Sequence, residues 1–372
     1  MSAAPVRLLP SADVVIVGAG PAGAMAALNL AARHRVLMLD RQAVPAARIG
    51  ESLPPACRRL LSDLGLFDEF LAQGHAPCYG NRAAWGGAPA DHDFLRDPDG
   101  HGWHLDRARF ETWLRAKAAA QGAALIAPAD HVAAERAGEG WRLGFDVNGV
   151  ACAVECRVLI DASGRGAAIA RQCGARRRRS DRLIALWCYG EDRQPGEDRR
   201  SQIEAVAEGW WYSAALPGDR RVLAFQTDAD LPIAKTLRTS AALLAAARAL
   251  PMLGPVLAAV DFAPSSPPQA AAAHSAATLP PAGPGWFAAG DAALSFDPLS
   301  SQGLFNALYT GLAVAEASGR ALAGEVGAAT DYQDELARIE AAYRRHLRFW
   351  YGQERRWPEA AFWQRRHRLD VE

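Results

Sequence analysis

The chain has 372 residues, with 41 basic and 41 acidic side chains and no net formal charge. This length suits two domains or one elaborated domain, and the balanced charge argues against the basic surface that binders of nucleic acid or anionic membranes need. The six cysteines include no Cys-x-x-Cys pair, which excludes a redox-disulfide motif and a zinc knuckle, so no metal site is predicted.

The first strong pattern is a strand, a glycine-rich turn, a helix and a second strand within residues 13–40. Gly18 permits a tight turn, Gly20 lets the backbone approach a pyrophosphate, and Gly23 lets helix and strand pack closely. A pyrophosphate would then meet the free N–H groups of the helix start. Asp40, about twenty residues further on, stands where a carboxylate accepts the hydroxyls of a ribose. The segment therefore predicts a dinucleotide site.

The next elements are shorter and less regular. They are a loop at Arg48–Pro55, a helix from about Ala56 to near Gly65, a turn-rich segment at Gly74–Gly102, a helix at Arg107–Gln121 and a buried strand at Cys156–Gly164 that ends in a small-residue turn. The arginine run Arg176–Arg179 is interpreted as a solvated loop.

An antiparallel sheet is predicted between Arg182 and Asp228, where apolar and polar residues alternate. Its strands are Leu183–Tyr189, Ile203–Ala207, Trp210–Leu216 and Val222–Thr227, with a hairpin turn at Pro217–Asp219. Trp210 and Tyr212 share one strand face, and Trp211 lies on the other. One of these faces either walls a pocket or packs inside the sheet core.

After a proline-rich linker at Ala263–Pro268, the sequence again resembles that of the strand–helix–strand segment at residues 13–40. A strand starting at Trp286 delivers Gly290 and Asp291, and a loop carries Asp297 and Pro298. Ser300–Gly303 then opens a helix whose start presents unpaired N–H groups and a positive dipole end.

The last predicted element is an amphipathic helix. Its apolar stripe is Tyr332, Leu336, Ile339, Tyr343, Leu347 and Trp350, and we expect this stripe to pack on its own domain rather than on a partner. The arginine- and tryptophan-rich run 355–367 that follows either anchors a partner or caps the protein's own domain.

Together these motifs resemble one superfamily. The GAGPAG turn with Asp40, the RIGES loop, LDRARF, IDASG and AAGDAALSFDPLSSQG are similar to the flavoprotein hydroxylases, which include p-hydroxybenzoate hydroxylase and the flavin-dependent halogenases. The narrower resemblance is to maturation flavoproteins that modify a tryptophan of a partner enzyme, an amine dehydrogenase or a lysine or glycine oxidase, during quinone-cofactor formation. It is based on GESLPPACRRLLSDLGL, GHGWHLDR, FDPLSSQG and RRWPEAAFWQRRH.

The resemblance implies a bound FAD and a set of residues around it. The implied cofactor-binding residues are Gly18, Gly20, Gly23, Asp40, Arg48, Arg107, Asp161, Gly290, Asp291 and Gly303, and the pocket candidates are Glu51, Trp210, Tyr212 and Pro298. Arg107 is implied to reach the pyrophosphate or ribityl region, and Asp291 is implied to hydrogen-bond the ribityl chain. The helix start at Ser300–Gly303 is implied to stabilise the negative charge of the reduced flavin ring. Ala162 replaces the glycine of the superfamily's Asp-Gly turn, so the electron donor is either NAD(P)H or a separate reductase.

The implied chemistry needs no catalytic dyad, because reduced flavin and O2 form a C4a-hydroperoxide whose distal oxygen is electrophilic and hydroxylates an electron-rich aromatic. The substrate implied is a tryptophan of a protein or peptide client. The fold class is α/β: a Rossmann-type FAD-binding domain, an inserted antiparallel substrate domain and a C-terminal helical tail. The predicted ranges are 1–75, 100–175 and 270–325 for the first, 76–99 and 176–269 for the second, and 326–372 for the third.

Other functions stay open at this point. A halogenase carries a lysine after the GES loop, but 75–87 has none, and Tyr79 or Asn81 stands in its place. A small-molecule aromatic hydroxylase, a reductase of isoprenoid double bonds and a non-catalytic flavoprotein chaperone share the same signatures. His101 and His104 lack a third metal ligand, which favours a structural role. The apolar stretch 241–260 is interrupted by Arg248, Pro251, Gly254 and Pro255, well short of a membrane span, so we expect a cytoplasmic protein with no membrane partner.

Overall fold

The structure is a computed structural model that describes residues 6–368, so positions 1–5 and 369–372 of the predicted domain ranges lie outside it. The strands are β1 (Arg7–Leu8), β2 (Ala12–Val17), β3 (Val36–Leu39), β4 (Ser52–Leu53), β5 (Ala76–Cys78), β6 (Gly80–Ala84), β7 (Ala90–Asp93), β8 (Gly102–His104), β9 (Ala124–Ile126), β10 (Asp130–Ala137), β11 (Gly140–Val147), β12 (Val150–Asp161), β13 (Arg176–Arg179), β14 (Leu183–Asp192), β15 (Ser201–Val206), β16 (Gly209–Leu216), β17 (Arg220–Asp228), β18 (Phe262–Pro264), β19 (Gln269–Ala272), β20 (Ala276–Leu279), β21 (Ala282–Gly283), β22 (Trp286–Ala288) and β23 (Leu294–Ser295).

The helices alternate with these strands in the first half of the chain and gather at its end. They are α1 (Pro21–Leu30), α2 (Cys57–Asp63), α3 (Phe67–Leu71), α4 (Arg107–Ala120), α5 (Ala168–Gln172), α6 (Ile233–Thr236), α7 (Ser240–Arg248), α8 (Leu253–Ala259), α9 (Gly303–Leu322), α10 (Ala328–Gln353) and α11 (Ala361–His367). Short 3₁₀ turns cover Phe94–Arg96, Gly290–Ala292 and Pro298–Ser300.

A parallel sheet forms the centre of the fold, with strand order β22-β12-β2-β3-β9. Every residue of β3 and nearly every residue of β2 is buried, as expected for a parallel sheet covered on both faces. Helices α4 and α9 both pack on α1. The first half of the long strand β12 pairs antiparallel with β11, and its second half pairs parallel with β2 in the central sheet. The predicted α/β fold class is confirmed.

The predicted antiparallel strands are present as β14 to β17, within an eight-stranded mixed sheet of order β18-β14-β17-β16-β15-β6-β7 with β19 beside β14. In this sheet β15 and β6 pair parallel. The predicted hairpin turn joins β16 and β17, with positive φ at Gly218 (75°) and Asp219 (54°). Because side chains alternate along a strand, the sheet has two different faces. One face, with Trp187 and Trp210, joins the main core, whereas the other, with Trp211 and Phe225, is covered by residues of α7 and α8.

Three sequence interpretations were wrong in detail. The turn-rich segment Gly74–Gly102 contains β5 to β8, whose exposed polar strand β7 carries no apolar alternation. Arg176–Arg179 is not a loop, because it is β13, paired with β20. The linker Ala263–Pro268 begins inside β18, an edge strand where proline is tolerated. The domain boundaries stay a prediction.

The C-terminal helices pack on their own chain. In α10 the predicted stripe residues Tyr332, Leu336, Tyr343 and Leu347 are buried, and the stripe then continues to Tyr351 rather than to Trp350, which is 39% exposed. In α11 the side chain of Trp363 is fully buried. The run 355–367 therefore caps the chain's own core. Within residues 6–368 no single helix has the length and hydropathy of a membrane span, although α7 and α8, bent by 113°, reach that hydropathy as a pair.

Candidate functional site

The glycine turn between β2 and α1 has the geometry of an anion cradle. Gly18 has φ of 102°, and a Cβ added there would lie 2.2 Å from the carbonyl oxygen of Ala162. A Cβ added at Gly23 would lie 1.8 Å from the carbonyl oxygen of Gly18. Both positions therefore require glycine. Helix α1 starts at Pro21 with no side-chain cap, so the backbone N–H groups of its first turn are free for a phosphate.

Asp40 follows β3 and points back at this turn. Its carboxylate accepts hydrogen bonds from the backbone N–H of Ala19 (2.6 Å) and of Gln42 (2.7 Å). Arg115 of α4, which the sequence reasoning missed, lies 3.0 Å from the same carboxylate and donates to the carbonyl oxygens of Ala19 (2.9 Å) and Gln42 (2.8 Å). The guanidinium of Arg115 thus fixes the turn and the ribose-side carboxylate together.

A second cluster links the RIGES loop to α4. The buried carboxylate of Glu111 lies 2.6 Å from both Arg48 and Arg107. Burial alone would raise the pKa of Glu111, but the two guanidinium groups lower it below its ordinary value. Arg107 also donates to the carbonyl oxygen of Gly50 (2.6 Å), so it holds the loop in place, and this differs from its implied direct contact with a cofactor.

Arg48 is the member of this cluster that keeps an open side, because its side chain is 47% exposed. Its Nη2 lies 3.4 Å from the position that a Cβ would occupy on Gly20. Arg48 and the glycine turn therefore face the same space, as predicted for two parts of one cofactor site.

The second predicted segment, which starts at Trp286, also packs against the start of α1. Gly290, with φ of 58°, packs so closely on α1 that an added Cβ would lie 2.8 Å from the Cβ of Ala22. The side chain of Asp291 is 39% exposed and lies 3.5 Å from Arg165. Helix α9 starts at Gly303 without a side-chain cap, and the space in front of Gly303 is open. Its free N–H groups and positive end are available to a ligand.

Arg177, inside the arginine run, holds this segment in shape. It donates to the carbonyl oxygens of Asp291 (2.6 Å), Ala292 (3.0 Å) and Ala293 (3.2 Å) and to the hydroxyl of Ser295. Burial lowers the pKa of Arg177 to about 10. Strand alternation places this arginine inward while its neighbours remain exposed, which the interpretation as a solvated loop could not anticipate.

Asp161 has a structural contact set. Its side chain is fully buried and accepts hydrogen bonds from the backbone N–H groups of Ser163 (2.9 Å), Ile169 (3.0 Å) and Ala170 (2.7 Å). These partners occupy both carboxylate oxygens and fix the start of α5. The contact of Asp161 with a cofactor stays a prediction.

The loop before α9 is tied to helix α10 by two tyrosines. Tyr351 donates to the carboxylate of Asp297 (2.8 Å), and the hydroxyl of Tyr343 accepts from the N–H of Asp297 (2.8 Å). The ring of Tyr343 stacks on Phe296 at 4.0 Å. Burial, followed by the charge of Asp181, raises the pKa of Asp297 to about 7. Pro298 is exposed next to these anchored residues.

The inner face of the eight-stranded sheet carries buried polar groups without partners. Ala224 of β17 is paired with Trp187 of β14 on one side and Tyr212 of β16 on the other, so a small side chain lies between two aromatic ones. Gln226 follows on the same face. Eleven buried side-chain nitrogen or oxygen atoms among residues 6–368 have no hydrogen-bond partner, and three of them lie on this face: the indole N–H of Trp187, the hydroxyl of Tyr212, which has Ser201 beside it, and the amide oxygen of Gln226.

Trp210, the other predicted pocket aromatic, is a core residue. It is 1% exposed, its indole N–H donates to the hydroxyl of Tyr351 (3.3 Å), and its ring contacts Trp85 at a centroid distance of 6.3 Å. His104 is fully buried and is hydrogen-bonded to the hydroxyl of Ser201 (2.9 Å), which gives it a structural role. Within the described residues no group of three or more metal-ligating side chains is found.

The arrangement fits FAD on structural grounds. Two uncapped helix starts, those of α1 and α9, belong to helices that pack directly on each other, and a turn that only glycine can form lies in front of the first. The first helix start suits a pyrophosphate. The second suits the negative charge of a reduced flavin. The geometry gathers Gly18, Gly20, Gly23, Asp40, Arg48 and Gly290 around the start of α1. That these residues bind FAD together with Arg107, Asp161, Asp291 and Gly303 stays a prediction.

Comparisons with known proteins agree with this site. A family model for an FAD binding domain matches residues 11–196. Over 384 aligned residues the chain is 31% identical to the putative FAD-dependent oxidoreductase LodB of Marinomonas mediterranea, and the match covers 96% of this chain and 98% of that protein.

Solved structures share the fold over almost the whole chain. The myxobacterial chondrochloren halogenase CndH has a TM-score of 0.86 at 26% identity, covering 97% of this chain and 86% of that one. The peptidyl tryptophan dihydroxylase QhpG, essential for tryptophylquinone cofactor biogenesis, has a TM-score of 0.77 at 24% identity, covering 96% of this chain and 78% of that one. At this level of identity the second match establishes the fold alone.

Proposed function

The chain belongs to the FAD binding domain family and is an FAD-dependent oxidoreductase of the monooxygenase class, and on that premise we propose that it hydroxylates a tryptophan side chain of a partner polypeptide during formation of a quinone cofactor. FAD, when bound and reduced, supplies an electrophilic oxygen from O2. The protein's own residues bind and orient the two reactants and keep water out. The electron donor, NAD(P)H or a separate reductase, is part of the proposal.

The observation that carries the proposal is the set of unpartnered groups on the inner sheet face. A buried polar group without a partner costs about 1–3 kcal/mol, so such groups usually meet a ligand or an ordered water. The amide oxygen of Gln226 needs a donor, and the N–H of Trp187 and hydroxyl of Tyr212 can each donate to an acceptor. A tryptophan within a polypeptide supplies both, through its indole N–H and its main-chain carbonyls.

The residues of this face suit an aromatic substrate. Ala224 is a small floor between the rings of Trp187 and Tyr212. Because Ala224 and Trp187 are buried in the main core, the proposal requires this face to open when the indole enters. At the end of β16 an open cleft of about 470 Å³ is lined by His75, Pro77, Tyr79, Glu197, Arg199 and the hairpin turn 217–219. Such a cleft gives an extended segment room to bind through main-chain contacts.

The neighbours support the same proposal at different levels. The relative LodB is similar over the whole chain, and QhpG, which shares the fold, acts on a peptidyl tryptophan. The run 355–367 no longer contributes to the proposal as a partner anchor, because Trp363 and Arg366 are buried within the chain's own core.

A halogenase is the second candidate, because CndH has a similar fold. The segment 75–87 has no lysine to carry a halogen, and at the expected place Tyr79 is exposed beside His101 while the preceding Cys78 is buried. We therefore expect no halotryptophan when reduced holoenzyme is incubated with O2, bromide or chloride, and free tryptophan. A stoichiometric halogenated product in mass spectrometry would overturn this expectation.

The test of the proposal is the intact mass of a candidate client after incubation with the FAD-loaded protein, a reductant and O2. A gain of one or two oxygens on its tryptophan supports the proposal. Hydroxylation only of free small aromatics refutes it and assigns the protein to the small-molecule aromatic hydroxylases. Ala224→Leu fills the floor between Trp187 and Tyr212 and should abolish the mass gain, whereas Ala258→Leu, on the exposed side of α8, should not.

A further inference from the structure

Glu51 is a buried carboxyl group in short contact with a tyrosine hydroxyl. Its side chain is 1% exposed. One carboxyl oxygen accepts from the N–H of Gly50 (2.9 Å), and the other lies 2.5 Å from the hydroxyl of Tyr189. That hydroxyl also lies 2.8 Å from the carbonyl oxygen of Arg48.

A tyrosine hydroxyl has a single hydrogen and cannot donate it to both neighbours. The carbonyl of Arg48 has no hydrogen, so only the hydroxyl of Tyr189 can donate in that contact. Across the 2.5 Å contact the hydroxyl of Tyr189 donates to an ionised Glu51, whereas a neutral Glu51 can donate its own hydrogen to Tyr189. In the second case the hydroxyl of Tyr189 is free to donate to the carbonyl of Arg48, and both contacts are hydrogen bonds. The geometry therefore accommodates a neutral carboxylic acid.

The groups around Glu51 act in both directions. Arg107 of α4 directs its guanidinium to Glu111 and to the carbonyl of Gly50 instead of to Glu51. His104 of β8 and Tyr212 of β16 also face Glu51. Burial alone would lower the pKa of His104, but the charges of Cys78 and Glu51 raise it, so a protonated His104 opposes the neutral form of Glu51. Burial raises the pKa of Glu51 above its ordinary value, despite the opposing effects of the Tyr189 and Gly50 hydrogen bonds and of the Arg107 charge.

Glu51 lies between the cofactor site and the inner sheet face. Three residues before it, Arg48 faces the glycine turn, and the strand after it, β4, contacts α9. Its partner Tyr189 belongs to β14 and contacts the ring of Trp187 at a centroid distance of 4.9 Å. The acid is therefore at the junction of the space proposed for the flavin and the space proposed for the indole.

We propose that Glu51 is the internal proton donor of the oxygen reaction, held in its neutral form by its burial. The overall hydroxylation, ArH + O2 + FADH⁻ + H⁺ → ArOH + H2O + FAD, consumes one proton beyond those carried by the substrate and the reduced flavin. In a site that excludes water, this proton must come from the protein. Glu51 gives it to the reduced oxygen that is released, as water when a substrate is hydroxylated and as hydrogen peroxide when none is present. The resulting carboxylate is stabilised by the hydroxyl of Tyr189 and the N–H of Gly50 until solvent reprotonates it.

The inference rests on the monooxygenase assignment, and its test needs no client. Reoxidation of the reduced holoenzyme without substrate, FADH⁻ + O2 + H⁺ → FAD + H2O2, takes up one proton as well. Glu51→Gln keeps both hydrogen bonds, because its amide N–H2 donates to Tyr189 and its amide oxygen accepts from Gly50, but it has no proton to transfer. We expect stopped-flow reoxidation of this variant to be slower by about 100-fold or more and to lose its solvent isotope effect.

The matched control is Glu204→Gln, which alters another buried glutamate on the outer face of the sheet, where it accepts from the N–H of Leu253 (2.8 Å). Its reoxidation rate should be that of the wild type. Infrared difference spectra of the two holoenzymes at neutral pH give the second readout. A carboxylic-acid C=O band should be lost in Glu51→Gln and retained in Glu204→Gln.

Wild-type reoxidation in Glu51→Gln, or no change in the acid band, would overturn the inference. If Glu51→Gln does not fold, Tyr189→Phe serves instead: loss of the acceptor should shift the acid band, and an unshifted band counts against Glu51. A client that gains no oxygen while reoxidation depends on Glu51 refutes the proposed substrate and leaves the proton donor standing.

Discussion

Arg115 gives the sharpest test of how the cofactor site is assembled, because one guanidinium contacts three acceptors on two segments. They are the carbonyls of Ala19 (2.9 Å) and Gln42 (2.8 Å) and the carboxylate of Asp40 (3.0 Å). Arg115→Met keeps the apolar stem and removes all three contacts. A hydrogen bond to a charged group contributes about 1.5–3 kcal/mol. If only the free energy of the contact between Arg115 and Asp40 is lost from FAD binding, the affinity for FAD should weaken by roughly 10- to 150-fold.

Titration of the apoprotein with FAD, followed by flavin fluorescence, measures this loss. Arg115→Lys keeps the charge but lacks the planar fork that reaches all three acceptors, so its affinity should lie between those of the wild type and Arg115→Met. Arg109→Met on the exposed side of the same helix is the control, since Arg109 donates only to the carbonyl of Gln73 and should leave FAD affinity unchanged. Wild-type affinity in Arg115→Met would refute the role assigned to this arginine.

Three further outcomes follow from the contacts. Asp40→Ala should weaken FAD by ~1.5–3 kcal/mol in the same titration, and a protein that cannot be reconstituted with FAD at all, even as wild type, would contradict the site. Arg366→Ala breaks the buried ion pair with Asp228 (2.8 Å) and should lower the free energy of unfolding in urea by about 3–5 kcal/mol. Arg365→Ala, at a side chain that is 41% exposed, should lower it by about 1 kcal/mol or less. Equal losses in the two variants would contradict the argument from burial. The folded chain holds a proton on Asp297 up to about pH 7, whereas the unfolded chain releases it near 3.8, so the free energy of unfolding should fall as pH rises through this window. Asp297→Asn should flatten that slope, and an unchanged slope would show that another group is responsible.

The glycine turn, α4 and the hairpin sheet could be predicted because each depends on a short-range rule. Gly18 and Gly23 are required by contacts with the turn itself and with the neighbouring strand end, and a GxGxxG spacing reports this directly. The strands β14 to β17 alternate apolar and polar residues, and the turn at 217–219 is rich in turn formers. Such signals lie within the segment that they describe.

The remaining features depend on partners far away in the chain. Asp161 matches a cofactor motif, but the short helix α5 takes up its carboxylate. Arg115 carried a signal that could have been found, because Arg107, Glu111 and Arg115 repeat every four residues beside an apolar helix face. The register that places Ala224 between Trp187 and Tyr212 cannot be obtained from the strands one at a time. Predicting it requires knowing which strands are neighbours.

The contact between Tyr351 and Asp297 joins residues 54 positions apart, and the pair of Arg366 with Asp228 spans 138 positions. Both reach backward, from α10 and α11 to segments that a ribosome would have released earlier. The loop in front of α9 therefore acquires these anchors only after α10 has been synthesised. A nascent chain that stops before α10 has a cradle for the pyrophosphate but lacks the contacts that fix the loop beside it.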